Sequence, residues 1–471
     1  VKSEANFFLA LRSVDANGPP LMIGLSVDDL LKWVERTKDP VPSDAVAQSQ
    51  TETDDSSFDS QPKKSLVDQL DKLAQRFAIA MASYHPLIDL SSVLASAMAK
   101  GIAKDISAVA SEKYVHVQNV DDVEIYQVPP SFQTPLISEV KTLSELTNGL
   151  STLPASAILS LVSVYDSYFG ELVSTVLSSR PERYSTSEKS ISVRDILQMS
   201  SFEELTEKLV EDEIDALLRR SHHEQIEQIE KLIGVKITNE HDSLPKYLEV
   251  FERRNLIAHG NACFNRYYLE NCNKFGLEIS DVKIGDKLII DAAYSHMAVD
   301  LLSEFWILSL FAIWRKSLKD NLEELYSRIH LITYDLLVSK RFTLTSSIIE
   351  FALNKQNTRG ITERTLRMMA VNLAISYKKQ SLQPELEKSL SIFDWSASAD
   401  DFKICIAAIR EDFDEVARLM KKVSYSNSVE KSAFRSWPAF DWVRENPLIQ
   451  TTFFEEYGEL LTEAMDISKI D

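Results

Sequence analysis

The amino-acid sequence predicts a mainly all-α protein: a helical bundle with a short β-hairpin insertion and an additional helical C-terminal domain. Three observations carry that expectation. Apolar residues recur at helical spacing over most of residues 66–422. Hydrophobic residues make up 44% of the chain while Gly and Pro number only 11 and 15, a composition that supports substantial cores and excludes a collagenous or wholly disordered chain. The most apolar run, FWILSLFAIW from Phe305 to Trp314, lies within a segment of helical length over 292–319. At 471 residues the chain exceeds the size at which one core keeps growing, so two or three domains are expected.

Residues 1–39 read as a small N-terminal extension, in which LSVDDLLKWVERT (Leu25 to Thr37) suits an amphipathic helix with Ser26 as N-cap. Residues 40–65 read as a flexible linker, rich in Pro, Ser, Asp and Gln and poor in periodic hydrophobicity. An N-terminal helical region follows over 66–130: two helices between Leu66 and Ser107, interrupted near Pro86, then two extended segments, KYVHVQ and VEIYQVP, and an irregular connection at Pro129-Pro130.

The helical domain expected over 131–319 contains a long apolar helix around Leu153 to Ser178, a polar insertion, and helices at 201–219 and 222–233. The next helix, over 242–260, starts near Asp242 or Ser243, carries Pro245 in its first turn, and is stopped by Gly260 and Asn261. Alternation of Val282, Ile284, Leu288 and Ile290 around Gly285-Asp286 then predicts the short hairpin at 279–291, ahead of the helix at 292–319. Residues 320–471 read as a helical regulatory or interaction domain. There, Ser398 with Asp401 three residues on marks the start of the helix beginning DDFKICIAAI, and aromatic anchors from Phe434 to Tyr457 cover the end.

Acidic residues outnumber Lys plus Arg by 71 to 51, a net charge of −20, which disfavours indiscriminate binding to a long polyanion and confines any nucleic-acid site to a local basic cleft. Cys263, Cys272 and Cys405 form neither pairs nor a zinc pattern, so reduced structural thiols are expected. No early basic segment precedes an apolar run in the manner of a secretion signal, and the chain begins at Val1, which leaves room for an initiator residue or a longer N-terminus. The Phe305–Trp314 run is too short to span hydrocarbon, and with no other spanning candidate in view the expected location is the cytoplasm, without a membrane partner. Phosphate-loop, nucleophile-elbow and dinucleotide fingerprints are absent from the sequence.

The segment with chemical content is RNLIAH, residues 254–259. At about 100° per helical residue, Asn255 and His259 lie one turn apart on nearly one face, and Arg254 reaches the same edge with a long guanidinium arm. Leu256 and Ile257 interrupt the polar set, so one side packs into a bundle while the polar edge faces a seam. This arrangement resembles the HEPN superfamily of helical domains, whose ribonuclease members carry Arg, four to six intervening residues and His, often with a polar residue after the Arg. The likeness runs over about 130–319, including the helix around 156–182 and the helix around 295–314.

That resemblance implies a metal-independent endoribonuclease with no cofactor, acting as a homodimer whose paired motif helices form one cleft, in a toxin or phage-defence setting with a regulatory protein or phage-derived trigger as a further partner. Arg254 maps to the motif arginine, His259 to the motif histidine and Asn255 to the adjacent polar residue. The chemistry agrees: an imidazole exchanges protons near neutral pH and a guanidinium stays positive beside phosphate. His259 would serve the 2′-hydroxyl or the leaving oxygen, Arg254 the phosphate charge, and Asn255 orientation. Arg253, Arg266, Tyr267 and Tyr268 are candidates for steering RNA and stacking a base.

The bland readings stand beside these. His259 ends a helix and Arg254 pairs with Glu252 or another helix, in which case the chain is a non-enzymatic HEPN-like dimerisation and partner-binding protein. His222-His223 beside Glu224 and Glu227 reads as a surface helix rather than a metal site, and His296 either hydrogen-bonds within the bundle or approaches the active seam.

Overall fold

The structure is a computed structural model and describes residues 8–12, 21–24, 65–120, 123–179, 201–234, 236–238, 243–279, 282–354 and 357–462. The expected helix at 25–37, the polar insertion beyond Ser179 and all but the last residue of the expected linker lie outside the described residues. In chain order the elements are strands β1 (Phe8–Arg12) and β2 (Leu21–Gly24), helices α1 (Leu66–Ala82) and α2 (Tyr84–Lys113), strands β3 (Val115–Val120) and β4 (Val123–Gln127), and helices α3 (Pro130–Ser178), α4 (Phe202–Leu218), α5 (His222–Ile233), α6 (Leu244–His259), α7 (Arg266–Lys274) and α8 (Ala292–Ser317). The C-terminal helices are α9 (Leu322–Val338), α10 (Phe342–Leu353), α11 (Glu363–Lys379), α12 (Gln383–Leu390), α13 (Asp400–Arg410), α14 (Phe413–Ser426), α15 (Lys431–Ser436) and α16 (Pro447–Tyr457). The protein is mainly helical, as its periodicity predicts. It divides into two compact units, each discontinuous in sequence: Val1–Gln61, Ala80–Tyr165 and Ser243–Val299 in one, Pro62–Ile79, Asp166–Asp242 and Asp300–Asp471 in the other.

The first unit contains a four-stranded antiparallel sheet in the order β2-β1-β4-β3. The alternating runs after α2 form β3 and β4, and β1 pairs along β4 with Leu9 opposite Tyr126. Leu9 and Tyr126 are buried against Ile106 and Ala110 of α2 and Leu136 and Leu143 of α3, so one face of the sheet closes a core against helices. β1 and β2 carry no period-two signature in sequence, because short strands without alternation leave none.

The expected hairpin at 279–291 is not formed. Its alternating positions do not share one face: Leu288 is buried, whereas Ile284 is exposed. Instead of pairing with itself, the segment binds the loop after α6. Leu288 N donates to Ala262 O at 2.7 Å, Phe264 N to Asp286 O at 2.9 Å and Gly285 N to Phe264 O at 2.8 Å, with one isolated bridge between Cys263 and Lys287. Val282 and Ile290 pack instead on a cluster of Leu256, Phe264, Tyr268 and Cys272.

α3 starts earlier than expected. The helix begins at Pro130 rather than near Leu153 and runs for 49 residues through Pro135 and Pro154. A proline removes one amide donor and crowds the preceding turn, but the helix carries buried Leu136, Leu143, Ile158, Leu161 and Tyr165 across those positions, and tertiary burial outweighs a local break. Pro86 behaves as expected of a first-turn proline: the chain breaks at Ser83 and α2 starts at Tyr84.

In the second unit, Phe77 stacks on Trp306 at 3.9 Å between centroids, and Tyr168 meets Phe77 edge-on at 5.6 Å. Phe305, Phe311 and Trp314 are buried beside Trp306 on α8. α11 is buried through nine consecutive residues, Met369 to Tyr377, so every face of it is covered. Its polar members need partners inside the protein: Ser376 Oγ donates to Phe342 O at 2.6 Å. The expected start of α13 at Ser398 is corrected. Ala399 is the N-cap and caps nothing with its side chain, because the Ser398 hydroxyl accepts from Arg367 Nη1 at 2.6 Å.

Among the described residues, three helical stretches are apolar enough to cross a membrane by length and composition: Leu66–Lys113, Pro130–Ser178 and Ala292–Ser317. This overturns the expectation that no spanning candidate exists, since stretches poor in charge are apolar on average without an unbroken apolar run. The α8 window is 78% buried within the protein and the other two are 24% and 18% buried. On α2, Leu87, Leu90, Val93, Leu94 and Met98 are exposed.

One buried carboxylate gives this unit a definite response to acid. Glu230 of α5 accepts from the amides of Ile237 and Thr238 at 2.7 and 2.8 Å, from the Thr238 hydroxyl at 2.8 Å and from Lys236 Nζ at 2.8 Å. Burial opposes its ionisation, but these donors outweigh burial and hold the carboxyl below its ordinary value. The unfolded chain therefore binds the proton first as pH falls: the stabilisation is full above about pH 4.3, the ordinary glutamate value, and is lost through the lower folded value. Urea unfolding between about pH 7 and pH 3 is expected to show a shallower acid loss in Glu230→Gln than in the native protein; equal slopes would remove Glu230 from the account.

Candidate functional site

The candidate site is built on α6. Pro245 occupies its first turn, and Tyr247, Leu248, Glu249, Val250, Phe251 and Leu256 are buried, so the helix is enclosed on all sides from Tyr247 to Phe251 and on one side beyond. Tyr247 and Phe251 meet edge-on at 5.0 Å, and the hydroxyls of Tyr247 and Tyr165 are 2.7 Å apart.

Among these buried residues Glu249 is the exception in kind. It is 4% exposed, and a bare carboxylate there would be prohibitive. It accepts from Arg253 Nε one helical turn on, from the hydroxyl of Tyr268 on α7, and from the hydroxyl of Tyr294 on α8 at 2.8 Å. Arg253 completes the group by lying over the Tyr294 ring, 3.9 Å from its centroid. Burial works against the Arg253 cation, but Glu249 and then Tyr294 outweigh it and hold its pKa above the ordinary value. Burial, followed by the charge of Glu249, pushes the Tyr268 and Tyr294 hydroxyls upward and the Cys272 thiol up to about 12. The two tyrosine hydroxyls stay protonated and donate to Glu249. Next to them, Asn271 Nδ2 donates to Glu252 Oε2 at 3.0 Å, tying α7 to α6 a second time.

The network reassigns two of the residues named from sequence. Arg253 is committed to Glu249 and Tyr294, and Tyr268 is 1% exposed, so neither is placed to bind or stack RNA at the surface. Arg266 and Tyr267 are exposed, Tyr267 by 77%.

The motif residues occupy the opposite edge of the same helix. Arg254 is half-buried and its Nη1 donates to Oδ1 of Asn255 at 3.2 Å; Glu252 is occupied by Asn271 and does not pair with it. Asn255 and His259 are exposed. Among the described residues the His259 ring has no hydrogen bond or ion pair. The chain then leaves the helix through a tight turn. Gly260 N and Ala262 N both donate to Leu256 O, at 2.8 and 3.0 Å. The left-handed conformations fall on Asn261 (φ 52°) and Ala262 (φ 51°), not on Gly260. Gly260 is favoured for another reason, because a Cβ there would lie 3.0 Å from Leu256 O, closer than an ordinary contact. Hydrogen bonds from 285–288 then fasten 262–264, so His259 is bounded by fixed backbone.

A second polar cluster in the same unit escapes sequence reading. His85 Nδ1 and His296 Nδ1 are 2.8 Å apart with the rings stacked at 5.1 Å, and His296 Nε2 lies 2.8 Å from Asp89 Oδ1. With both rings neutral, Nε2–H of His296 donates to Asp89, which makes its Nδ1 an acceptor and His85 Nδ1 the donor. His296 therefore bonds to α2. His222 Nε2 pairs with Asp166 at 2.9 Å and Glu224 completes a capping box with Ser221; among the described residues no group of three His, Cys, Asp or Glu is placed to hold a metal ion.

No protein-family model matches the chain, and no curated protein or solved structure matches it. The geometry alone supports a rigid α6 with a polar, solvent-facing edge, held from behind by Glu249. Glu249→Leu is expected to leave the buried Arg253 guanidinium uncompensated and to cost about 3–5 kcal/mol in urea unfolding, whereas Arg254→Ala at the outer edge changes stability by about 0.5 kcal/mol or less. A cost below about 1 kcal/mol for Glu249→Leu would show that the network does not hold the helix.

Proposed function

We propose that the chain is a metal-independent endoribonuclease of the HEPN type, acting as a homodimer in which two copies of α6 contribute Arg254, Asn255 and His259 to one cleft. The supporting observation is that the outer edge of a rigidly held helix presents an uncommitted imidazole one turn from an arginine–asparagine pair. Structural roles consume the neighbouring Arg253 and Tyr268 but leave these three side chains at the surface.

The reaction divides naturally among them. One His259 takes the proton of the ribose 2′-hydroxyl as its oxygen bonds to phosphorus; the bond from phosphorus to the 5′-oxygen breaks, and the protonated His259 of the second copy supplies that oxygen with a proton. The products are a 2′,3′-cyclic phosphate and a 5′-hydroxyl. Arg254 neutralises the charge gathering on the phosphate oxygens. Because the Asn255 carbonyl oxygen already accepts from Arg254, its amide nitrogen is the part that faces substrate. Arg266 and Tyr267 supply a local cation and a ring for a splayed base, which offsets the chain's net charge of −20.

Incubation of the full chain with single-stranded RNA is expected to give cyclic phosphate ends, to spare DNA of the same sequence and to proceed unchanged in a chelator. Arg254→Ala and His259→Ala are each expected to slow cleavage by about 10²-fold or more. Cleavage that persists in both variants, or a native protein that cuts no RNA while binding a protein partner through this edge, would replace the enzyme with a recognition helix.

A further inference from the structure

Helix α2 turns an apolar flank outward. Leu87, Leu90, Val93, Leu94 and Met98 are between 41% and 65% exposed, and at about 100° per residue they share an arc of about 140°. The opposite flank, with Tyr84, Ile88, Ile106 and Ala110, is buried, so the exposed side chains are surplus to the core. Five side chains at that exposure present on the order of 450 Å² per copy. Two such faces would bury about 900 Å² before the residues between them are counted, against the about 1,000 Å² that a specific interface needs.

The spacing and the charges say what fits there. Leu87, Leu90, Leu94, Ala97 and Gly101 follow one another at intervals of three and four residues, the seam of a helix that packs against another helix. Gly101 lies on the same arc inside the helix, where glycine is unfavourable, and a Cβ built on it meets nothing within 4 Å. No contact within the chain calls for glycine at that point, whereas a side chain entering from a partner helix does. A lipid surface would gain nothing from a gap in the apolar arc. Asp89, Lys100 and Lys104 lie along one edge of the arc. Asp89 meets His296 through Oδ1 and keeps its side chain 68% exposed.

We propose that two copies of the chain pair through α2, antiparallel, with the twofold axis passing between residues 95 and 96. In that register Leu94 lies against Ala97 of the partner subunit and Leu90 against Gly101 of the partner subunit, large side chain on small residue. The twofold axis makes each contact occur twice. Antiparallel pairing also brings like edges together, so Asp89 falls level with the gap between the partner's Lys100 and the partner's Lys104. A parallel pairing would set each charge beside its own kind. The pairing is independent of the cleavage proposed for α6, because it is read from the state of association and not from RNA.

Sedimentation velocity of the full chain between about 1 and 100 µM is expected to show a dimer with a dissociation constant below about 10 µM. Leu94→Glu, at an exposed position, is expected to leave the circular dichroism unchanged and to raise that constant about 100-fold or more. Gly101→Leu favours the isolated helix but fills the space reserved for Leu90, and is expected to weaken the dimer about tenfold or more. Lys100→Glu with Lys104→Glu is expected to weaken it about tenfold, and adding Asp89→Lys to restore it. The proposal is overturned by a chain that is monomeric at about 100 µM, or by a dimer that Leu94→Glu or Gly101→Leu leaves intact, which would put the contact elsewhere. A charge-swapped triple variant no tighter than the lysine double variant overturns the antiparallel register. A monomer that sediments with phosphatidylcholine vesicles, and loses them in Leu94→Glu, would make lipid the occupant and overturn the pairing.

Discussion

The carboxylate of Glu249 is the constraint around which the candidate site is arranged. A charge held at 4% exposure survives only when surrounded by donors, and here the donors come from three helices: Arg253 on α6 itself, Tyr268 on α7 and Tyr294 on α8. Because each hydroxyl must reach a particular oxygen, the group specifies how α7 and the start of α8 lie against α6 more narrowly than apolar contacts do, since those tolerate sliding. The outer edge of α6 inherits this definition. Its residues need few restraints of their own, and Arg254 and His259 make few.

The loop that follows extends the same logic to the backbone. Residues 285–288 read as half of a hairpin, yet they satisfy their amides and carbonyls on 262–264. The amides and carbonyls of both segments are thereby paired, and the sharp exit after His259, with Asn261 and Ala262 in left-handed conformation, is held from outside. Ala262 pays for that conformation in steric energy that the surrounding hydrogen bonds recover.

Long amphipathic stretches are legible from sequence because a 3.6-residue apolar period extends over several turns, and helices α4, α5, α6, α8, α9 and α11 lie where that period places them. β3 and β4 are legible for the corresponding period of two. The features that escape are those decided by distant residues. The start of α3 is misplaced by sequence, because buried neighbours carry the helix from Pro130 across Pro135 and Pro154. Ser398 has the right neighbour for a cap and is taken by Arg367. β1 is too short and uniform to announce itself. At the candidate site, Arg254, Asn255 and His259 are found by local spacing, and the Glu249–Arg253 pair is also present in the sequence as an i, i+4 spacing. Tyr268 reads as a surface ring and proves buried, because no local pattern encodes the carboxylate that awaits it across 19 residues. Tyr294 and the His85–His296 contact are invisible for the same reason.

The histidine pair joins α2 to α8 through a wire with polarity. Asp89, 68% exposed at its side chain, dictates which nitrogen of His296 keeps its hydrogen, and that choice dictates the tautomer of His85. Turning the His296 ring by half a turn about its Cβ–Cγ bond would break both links at once, whereas turning His85 would break only the contact between the rings. One surface carboxylate thus sets the hydrogen-bonding sense of two imidazoles and of the contact they make between α2 and α8.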